Sequence, residues 1–207
     1  MIRKQTNVTT LTGRSHYLRK VEIPEFNFPT ERLYEWVKGL RGRKAMSRGT
    51  LLHSLINFIV RVYVSRQSCG AEMDDPDDDD AFTIFVRQRC KEMKLPFPLV
   101  DDFGDFLDRL QCMLLAYVKS GNISLNVPLK SDLINGSADM IVGSTLVEFK
   151  SGQPRPEEDT IQILHYIRLA TENGYDIRQV EIVYLTYETP IVRIIVDDLD
   201  WTNIKIM

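Results

Sequence analysis

No apolar run in the 207 residues reaches the length of about 18 that a membrane-crossing helix requires. The most apolar stretch, LLHSLINFIVRVYV at 51–64, is short and is interrupted by His53, Asn57 and Arg61, so it reads as a core helix, and no membrane partner is expected. The first residues carry no apolar block of the kind that opens a secretory signal. Cysteine is scarce. Cys69, Cys90 and Cys112 cannot all pair and have no metal-ligand spacing, which points to a reducing intracellular compartment such as cytoplasm, nucleus or a viral factory. There is no P-loop, which excludes a nucleotide-driven motor in this chain. Acid is missing from residues 1–20 and again from 36–71, while EMDDPDDDD at 72–80 packs seven acids into nine residues.

The composition that remains, 43% hydrophobic with a net charge of −3, suits one domain with a sizeable core. Basic segments in a mildly acidic chain suit a polyanionic partner met by some of the surface; charge alone equally fits solvated loops and helix faces. Residues 1–29 read as irregular. TERLYEWVKGL at 30–40 is a helix candidate, and Ser47 is a plausible N-cap for a helix running to about residue 66. The acidic run at 72–80 reads as a solvated surface loop, since it lacks the spaced glycine and terminal glutamate of a calcium loop. Helical spacing covers 81–94 and about 100–120. The period then changes. ISLNVPLK (123–130), INGSADMIV (134–142) and TLVEFK (145–150) read as strands, a helix follows at about 158–173, and 180–188 and 190–197 are two further strands. The expected organisation is a basic arm and helix over 1–46, then a domain over 47–207 with a helical first portion (47–121) and an α/β core (122–207).

Gly143-Ser144 is a two-residue hairpin signal, and it sets a register. Val142 then faces Thr145, Ile141 faces Leu146, Met140 faces Val147, and Asp139 faces Glu148. Alternation puts Asp139, Glu148 and Lys150 on one face, with Met140, Val142, Val147 and Phe149 on the other. Directly opposed Cβ atoms are roughly 4.5–5.5 Å apart, and facing carboxylates repel. A hard divalent cation such as Mg²⁺ or Mn²⁺ between them would remove the penalty, with Lys150 reaching the same pocket. An isolated Glu-x-Lys is common, and the bland reading is a solvated edge pair.

The neighbourhood is more specific. GSADMIVGSTLVEFKSG, followed on the next helix by QILHY (162–166) and preceded by RGTLLHSLI (48–56), resembles the PD-(D/E)xK nuclease superfamily, in particular its RecB-like exonuclease branch. The order His, Asp, Glu-x-Lys, Gln-x-x-x-Tyr is the family order, and the likeness covers about residues 47–170. The resemblance implies a restriction-endonuclease-like core: a mixed central sheet flanked by helices, with an N-terminal helical addition. It implies that Asp139, Glu148, the Phe149 backbone carbonyl and His53 bind Mg²⁺ or Mn²⁺, one or two ions, and that Lys150 orients or activates the attacking water. Gln162 and Tyr166, which share a helix face, would touch nucleic-acid backbone or brace the pocket. A lone His on an apolar helix is more often a core residue; Gly49 four positions before His53 is what favours ligation. His165 reads as structural or solvent-facing, and His16 has no evident partner.

The function that the resemblance implies is a metal-dependent nuclease, a DNA exonuclease on single-stranded ends by preference, working beside replication, repair or recombination proteins. Arg43, Lys44 and Arg48 would contact the strand, and Tyr17, Tyr34, Trp36 and Phe82 are candidate base-stacking rings. Two departures stand out. Many relatives carry an acid on the preceding strand, where ISLNVPLK offers only Asn126, which bears on a second ion. No cysteine follows Cys112, so the iron–sulfur cluster of some relatives is not expected. An RNA endonuclease of cap-snatching type and a non-catalytic nuclease-fold module that grips nucleic acid or protein are the alternatives. The Ser/Thr-containing, acid-free first twenty residues also resemble a mitochondrial presequence.

Overall fold

The change of period near residue 121 is where the chain passes from helices to sheet. The computed structural model describes residues 6–7, 26–34, 43–71, 77–97, 103–132, 134–188 and 190–199, and of 6–7, 43–48 and 77–79 the backbone alone. A two-residue strand, β1 (Thr6–Asn7), precedes three helices, α1 (Arg43–Cys69), α2 (Asp77–Met93) and α3 (Phe103–Ser120). Then come β2 (Ile123–Lys130), β3 (Ile134–Val142), β4 (Thr145–Lys150), α4 (Pro156–Glu172), β5 (Gln179–Tyr184) and β6 (Ile191–Ile195), with a closing 3-10 turn at Val196–Asp198. The sheet has six strands in the order β1-β3-β4-β5-β6, with β2 also on β3. It is mixed: β1–β3 and β4–β5 are parallel, the other pairs antiparallel.

Two apolar cores lie on the two faces. On one, Leu51, Leu52, Leu55, Ile56, Ile59, Val60 and Tyr63 recur along α1 at helical spacing and pack with α2, α3 and the sheet residues Met140, Val142, Val147, Phe149 and Val183. Each such Leu or Ile buried contributes about 1.5–3 kcal/mol. On the other, Ile163, Leu164, Ile167 and Leu169 of α4 pack on Ile141, Leu146, Val180, Ile182 and Ile194. The fold is therefore three-layered α/β, helices on both faces of a mixed sheet, as expected at that level. The spans of β2, β3 and β4 coincide with those read from the sequence.

Several expectations need correction. Residues 30–34 are not helical: Arg32 forms an antiparallel bridge with Tyr187, and Leu33 and Tyr34 donate their N–H groups to the Thr186 carbonyl. Long-range pairing wins over local helix propensity there, and 35–40 lie outside the described residues. Ser47 is not an N-cap, because α1 begins at Arg43; the helix therefore runs through the boundary expected at 46/47. The acidic run is not wholly a loop. Asp77–Asp80 form the first turn of α2, where the helix dipole favours negative charge, while 72–76 lie outside the described residues. β1 lies within a segment read as irregular; its two residues pair with Ile134 and Asn135.

One residue in β2 reverses the faces of the strand. Asn126 has φ of 49°, a left-handed conformation that asparagine tolerates and β-branched residues do not. Ile123 and Leu125 pack on the α1–α3 side, whereas Val127 and Leu129, two and four residues on, pack on the α4 side. Asn126 lies opposite Asp139, between the pairs Leu125↔Met140 and Val127↔Ala138. Its amide exchanges two hydrogen bonds with that of Asn57 on α1, at 3.0 and 3.4 Å. Asn126→Gly and Asn126→Ala both remove these bonds, but only alanine strains the backbone. The glycine variant is expected to be the more stable of the two by about 1 kcal/mol in urea unfolding.

Candidate active site

A strand has two edges, and β3 uses them unequally. β2 runs along one edge from Ile123↔Val142 to Lys130↔Asn135. On the other, β4 pairs with Met140–Val142 and β1 with Ile134–Asn135, so residues 136–139 have no strand beside them among the described residues. Asp139 sits in that opening. The hairpin register is the expected one for Val142↔Thr145, Ile141↔Leu146 and Met140↔Val147, with Gly143 supplying the turn at φ of 56°. The fourth expected pair, Asp139 facing Glu148, is not formed. Two facing carboxylates would repel, and the ladder ends at the pair before them. Asp139 Oδ2 instead accepts the Phe149 backbone N–H at 2.8 Å, which brings the Phe149 backbone to the site.

Side chains from both helical layers meet at this opening. From α1, His53 Nδ1 lies 3.0 Å from Asp139 Oδ1. From β4, Lys150 Nζ lies 3.3 Å from Glu148 Oε1. From α4, Gln162 Oε1 accepts from Lys150 Nζ at 2.5 Å, while its Nε2 donates to Glu148 Oε1 at 3.0 Å and to the Tyr166 hydroxyl at 3.2 Å. The two ends of one amide thus fix a lysine and a carboxylate together. Gln162 and Tyr166 are buried, so they brace the pocket. The Tyr166 pKa is pushed up by burial and then by the Glu148 charge, which keeps the phenol protonated.

Glu148 is the strained group. Burial, then the charge of Asp139, raise its pKa to about 8 against the partial relief that Lys150 and His53 supply. Its Oε2 is buried with no hydrogen-bond partner among the described residues. A buried carboxylate oxygen without a partner is costly, and a cation is the partner such an atom suits. Burial opposes protonation of His53, but the hydrogen bond and charge of Asp139 with the charge of Glu148 outweigh it, and the net pKa is raised. Among the described residues no three His, Cys, Asp or Glu side chains form a ready-made cation cage. The orphaned Glu148 oxygen beside Asp139 and His53 is what fits these residues to a hard divalent ion, with oxygen and imidazole donors.

Arg43, Lys44 and Arg48 lie on the first turns of α1, and their side chains are outside the described residues. A Cβ built on Gly49 would stand 3.5 Å from Ser151 Oγ, so that end of α1 runs beside the loop that follows Lys150. Tyr34 and Phe82 are not available to stack bases: both are buried in the α1–α3 core, Tyr34 edge-on to Phe106. Tyr17, Trp36 and His16 lie outside the described residues. His165 is buried in α4 and does not face solvent; burial, then Arg168, lower its pKa.

Two features were missed by sequence reasoning. Asp159, three residues before Gln162 on the same helix face, lies 3.7 Å from Lys150 Nζ; that spacing was the available signal. The Asn57–Asn126 pair lies one helical turn from His53 and opposite Asp139, and nothing local announces it. A separate cavity of about 840 Å³ lies between α3 and the β5–β6 face. Its buried charge, Glu181, is engaged by Tyr117 at 2.5 Å, Gln179 at 2.8 Å and Arg193 at 2.9 Å, so chemistry does not converge there as it does at Asp139 and Glu148. No protein-family model matches the chain, and no curated protein matches it in sequence.

Proposed function

We propose that the chain is a metal-dependent nuclease of the PD-(D/E)xK type, RecB-like, which hydrolyses phosphodiester bonds and acts by preference on single-stranded DNA ends. The observation that carries this reading is the meeting of His53 from α1 with Asp139, Glu148 and Lys150 at one opening in the sheet, beside an unpartnered Glu148 oxygen. His53, Asp139 and Glu148 would hold the cation. A bound Mg²⁺ or Mn²⁺ supplies Lewis acidity toward the phosphoryl oxygens and lowers the pKa of water.

The chain's own residues do the rest. Lys150 has three N–H donors, of which Gln162 and Glu148 occupy two, leaving one to orient the attacking water in line with the scissile bond. Gln162 keeps that amine beside Glu148, and Tyr166 keeps Gln162 in place. The basic turn of α1 would meet the strand's backbone phosphates without reading bases.

Digestion of end-labelled linear strands and circular strands, DNA and RNA, with Mg²⁺, Mn²⁺ or chelator tests the reading. Cleavage of linear single-stranded DNA that chelator stops is the expected result. Circular DNA cut as fast as linear overturns the exonuclease preference, and RNA cut in preference to DNA favours the cap-snatching type. Asn126, opposite Asp139 on a strand where many members of that superfamily carry an acid and this chain has none, favours a second reading, a nuclease-fold module that binds without cutting. Mn²⁺ at 100 times its Kd stabilises a folded state that alone binds it by about 2.7 kcal/mol. The melting temperature should then rise by about 5–10 °C. An unchanged melting temperature would leave the binding module as the better account.

A further inference from the structure

Lys150 is surrounded by more acceptors than its place requires. Besides Gln162 Oε1 at 2.5 Å and Glu148 Oε1 at 3.3 Å, its Nζ faces Asp159 Oδ1 at 3.7 Å. Asp159 is buried in the first turn of α4 and is itself held in place. Its Oδ2 accepts from the Tyr184 hydroxyl at 2.6 Å and from the Arg155 backbone N–H at 2.9 Å. One oxygen is therefore anchored and the other is aimed at the ammonium, with the Arg155 guanidinium at 4.0 Å on the same atom.

We propose that Asp159 is a positioning residue: the fixed counter-charge that keeps the Lys150 ammonium beside Gln162 when Glu148 turns its charge toward a divalent cation. The proposal rests on the nuclease reading of the site. Glu148 is shared three ways: Lys150 and Gln162 hold its Oε1, and the cation would take its Oε2. With the cation drawing on that carboxylate's charge, Lys150 would keep a weakened Glu148 acceptor, one neutral acceptor and a repelling dication nearby, an expensive state for an ammonium recessed to 16% side-chain exposure. Tyr184 and the Arg155 backbone N–H occupy Asp159 Oδ2, so the oxygen turned toward the site is Oδ1, on the Lys150 side. At 3.7 Å it attracts the amine without claiming one of its hydrogen bonds, so a donor stays free for water.

The competing role is structural. Asp159 and Arg155 form a reciprocal cap on α4, with the Asp159 N–H on the Arg155 carbonyl at 2.8 Å. Asparagine keeps an oxygen for that cap and for Tyr184 but removes the charge, so the two roles separate. Mn²⁺ affinity by calorimetry, and kcat and KM on an end-labelled single strand, are measured for wild type, Asp159→Asn and the exposed charge-matched control Glu157→Gln. Asp159→Asn is expected to lower kcat about 10–100-fold with KM within about threefold, and to weaken Mn²⁺ binding about tenfold as Lys150 stays on Glu148. Glu157→Gln should be within about twofold of wild type on all three, as for an exposed surface carboxylate. If Asp159→Asn does not fold, Tyr184→Phe, which removes one of the two donors that anchor Oδ2, decides on the same measurements with a smaller shift in the same direction. An Asp159→Asn chain that binds Mn²⁺ and cuts like wild type overturns the proposal while leaving the nuclease reading intact. A wild type that neither binds Mn²⁺ nor cuts removes that reading, and this proposal with it.

Discussion

Glu148→Gln should reduce cutting about 1,000-fold or more and, in chelator, leave the protein more stable than wild type at pH 8. The two halves of this result share one cause. The activity loss follows because the amide offers a cation no charge; several kcal/mol of transition-state stabilisation disappear with it, and each 1.36 kcal/mol is tenfold in rate. The stability gain follows from linkage. The folded-state pKa of Glu148 is raised to about 8, by burial first and by Asp139 second. A carboxyl whose folded pKa lies above its unfolded one holds its proton more tightly when folded. Its stabilising share is fully present below the unfolded pKa, near 4.3, and is lost as pH climbs to about 8. The amide does not titrate, so the variant escapes that loss. The difference in melting temperature between variant and wild type should be smallest near pH 5 and largest at pH 8 and above. In a chain of 150–250 residues each kcal/mol moves the melting temperature by about 2–4 °C. A variant less stable than wild type at both pH values would mean that Glu148 is an ordinary satisfied carboxylate.

Much of this site was legible because it depends on local rules. Gly143-Ser144 dictates a two-residue turn, and the turn dictates which residues of β3 and β4 face each other; three of the four pairs read from it are formed. Alternation along β4 then places Glu148 and Lys150 on the α4 side and Val147 and Phe149 in the opposite core. What failed was the step at which electrostatics overrides the ladder. A carboxylate that takes a backbone N–H from the next strand, as Asp139 does from Phe149, has no local signature. The same holds for contacts closed over long separations. Arg32 is extended because Tyr187 pairs with it, 155 residues away. Asp159 matters because Tyr184, 25 residues on, turns its carboxylate toward Lys150. The start of α1 was missed for a different reason: Arg43 and Lys44 carry no capping side chain, and Ser47, which does, lies inside the helix.

Asp139→Asn tests whether α1 and the sheet form one site. The substitution should also cost about 1,000-fold in cutting, and it has a second readout that needs neither metal nor substrate. His53 is 3.0 Å from Asp139. Its pKa is raised even though burial, the largest influence, works against its charged form, because Asp139 contributes both a hydrogen bond and a negative charge, with Glu148 adding to them. A histidine with a raised folded pKa lends stability that is complete below its unfolded value of about 6.5 and is lost as pH rises through the folded value. Without the Asp139 charge, burial dominates. In chelator, the His53 resonance should then titrate below 6.5 rather than above it, and the excess stability on the acid side should shrink. Asn57 and Asn126 still tie α1 to β2 in this variant, so the helix stays docked and the shift reports on the loss of Asp139 as a partner. A His53 that titrates identically in both proteins would show that the first-half helix does not share a site with the hairpin carboxylates.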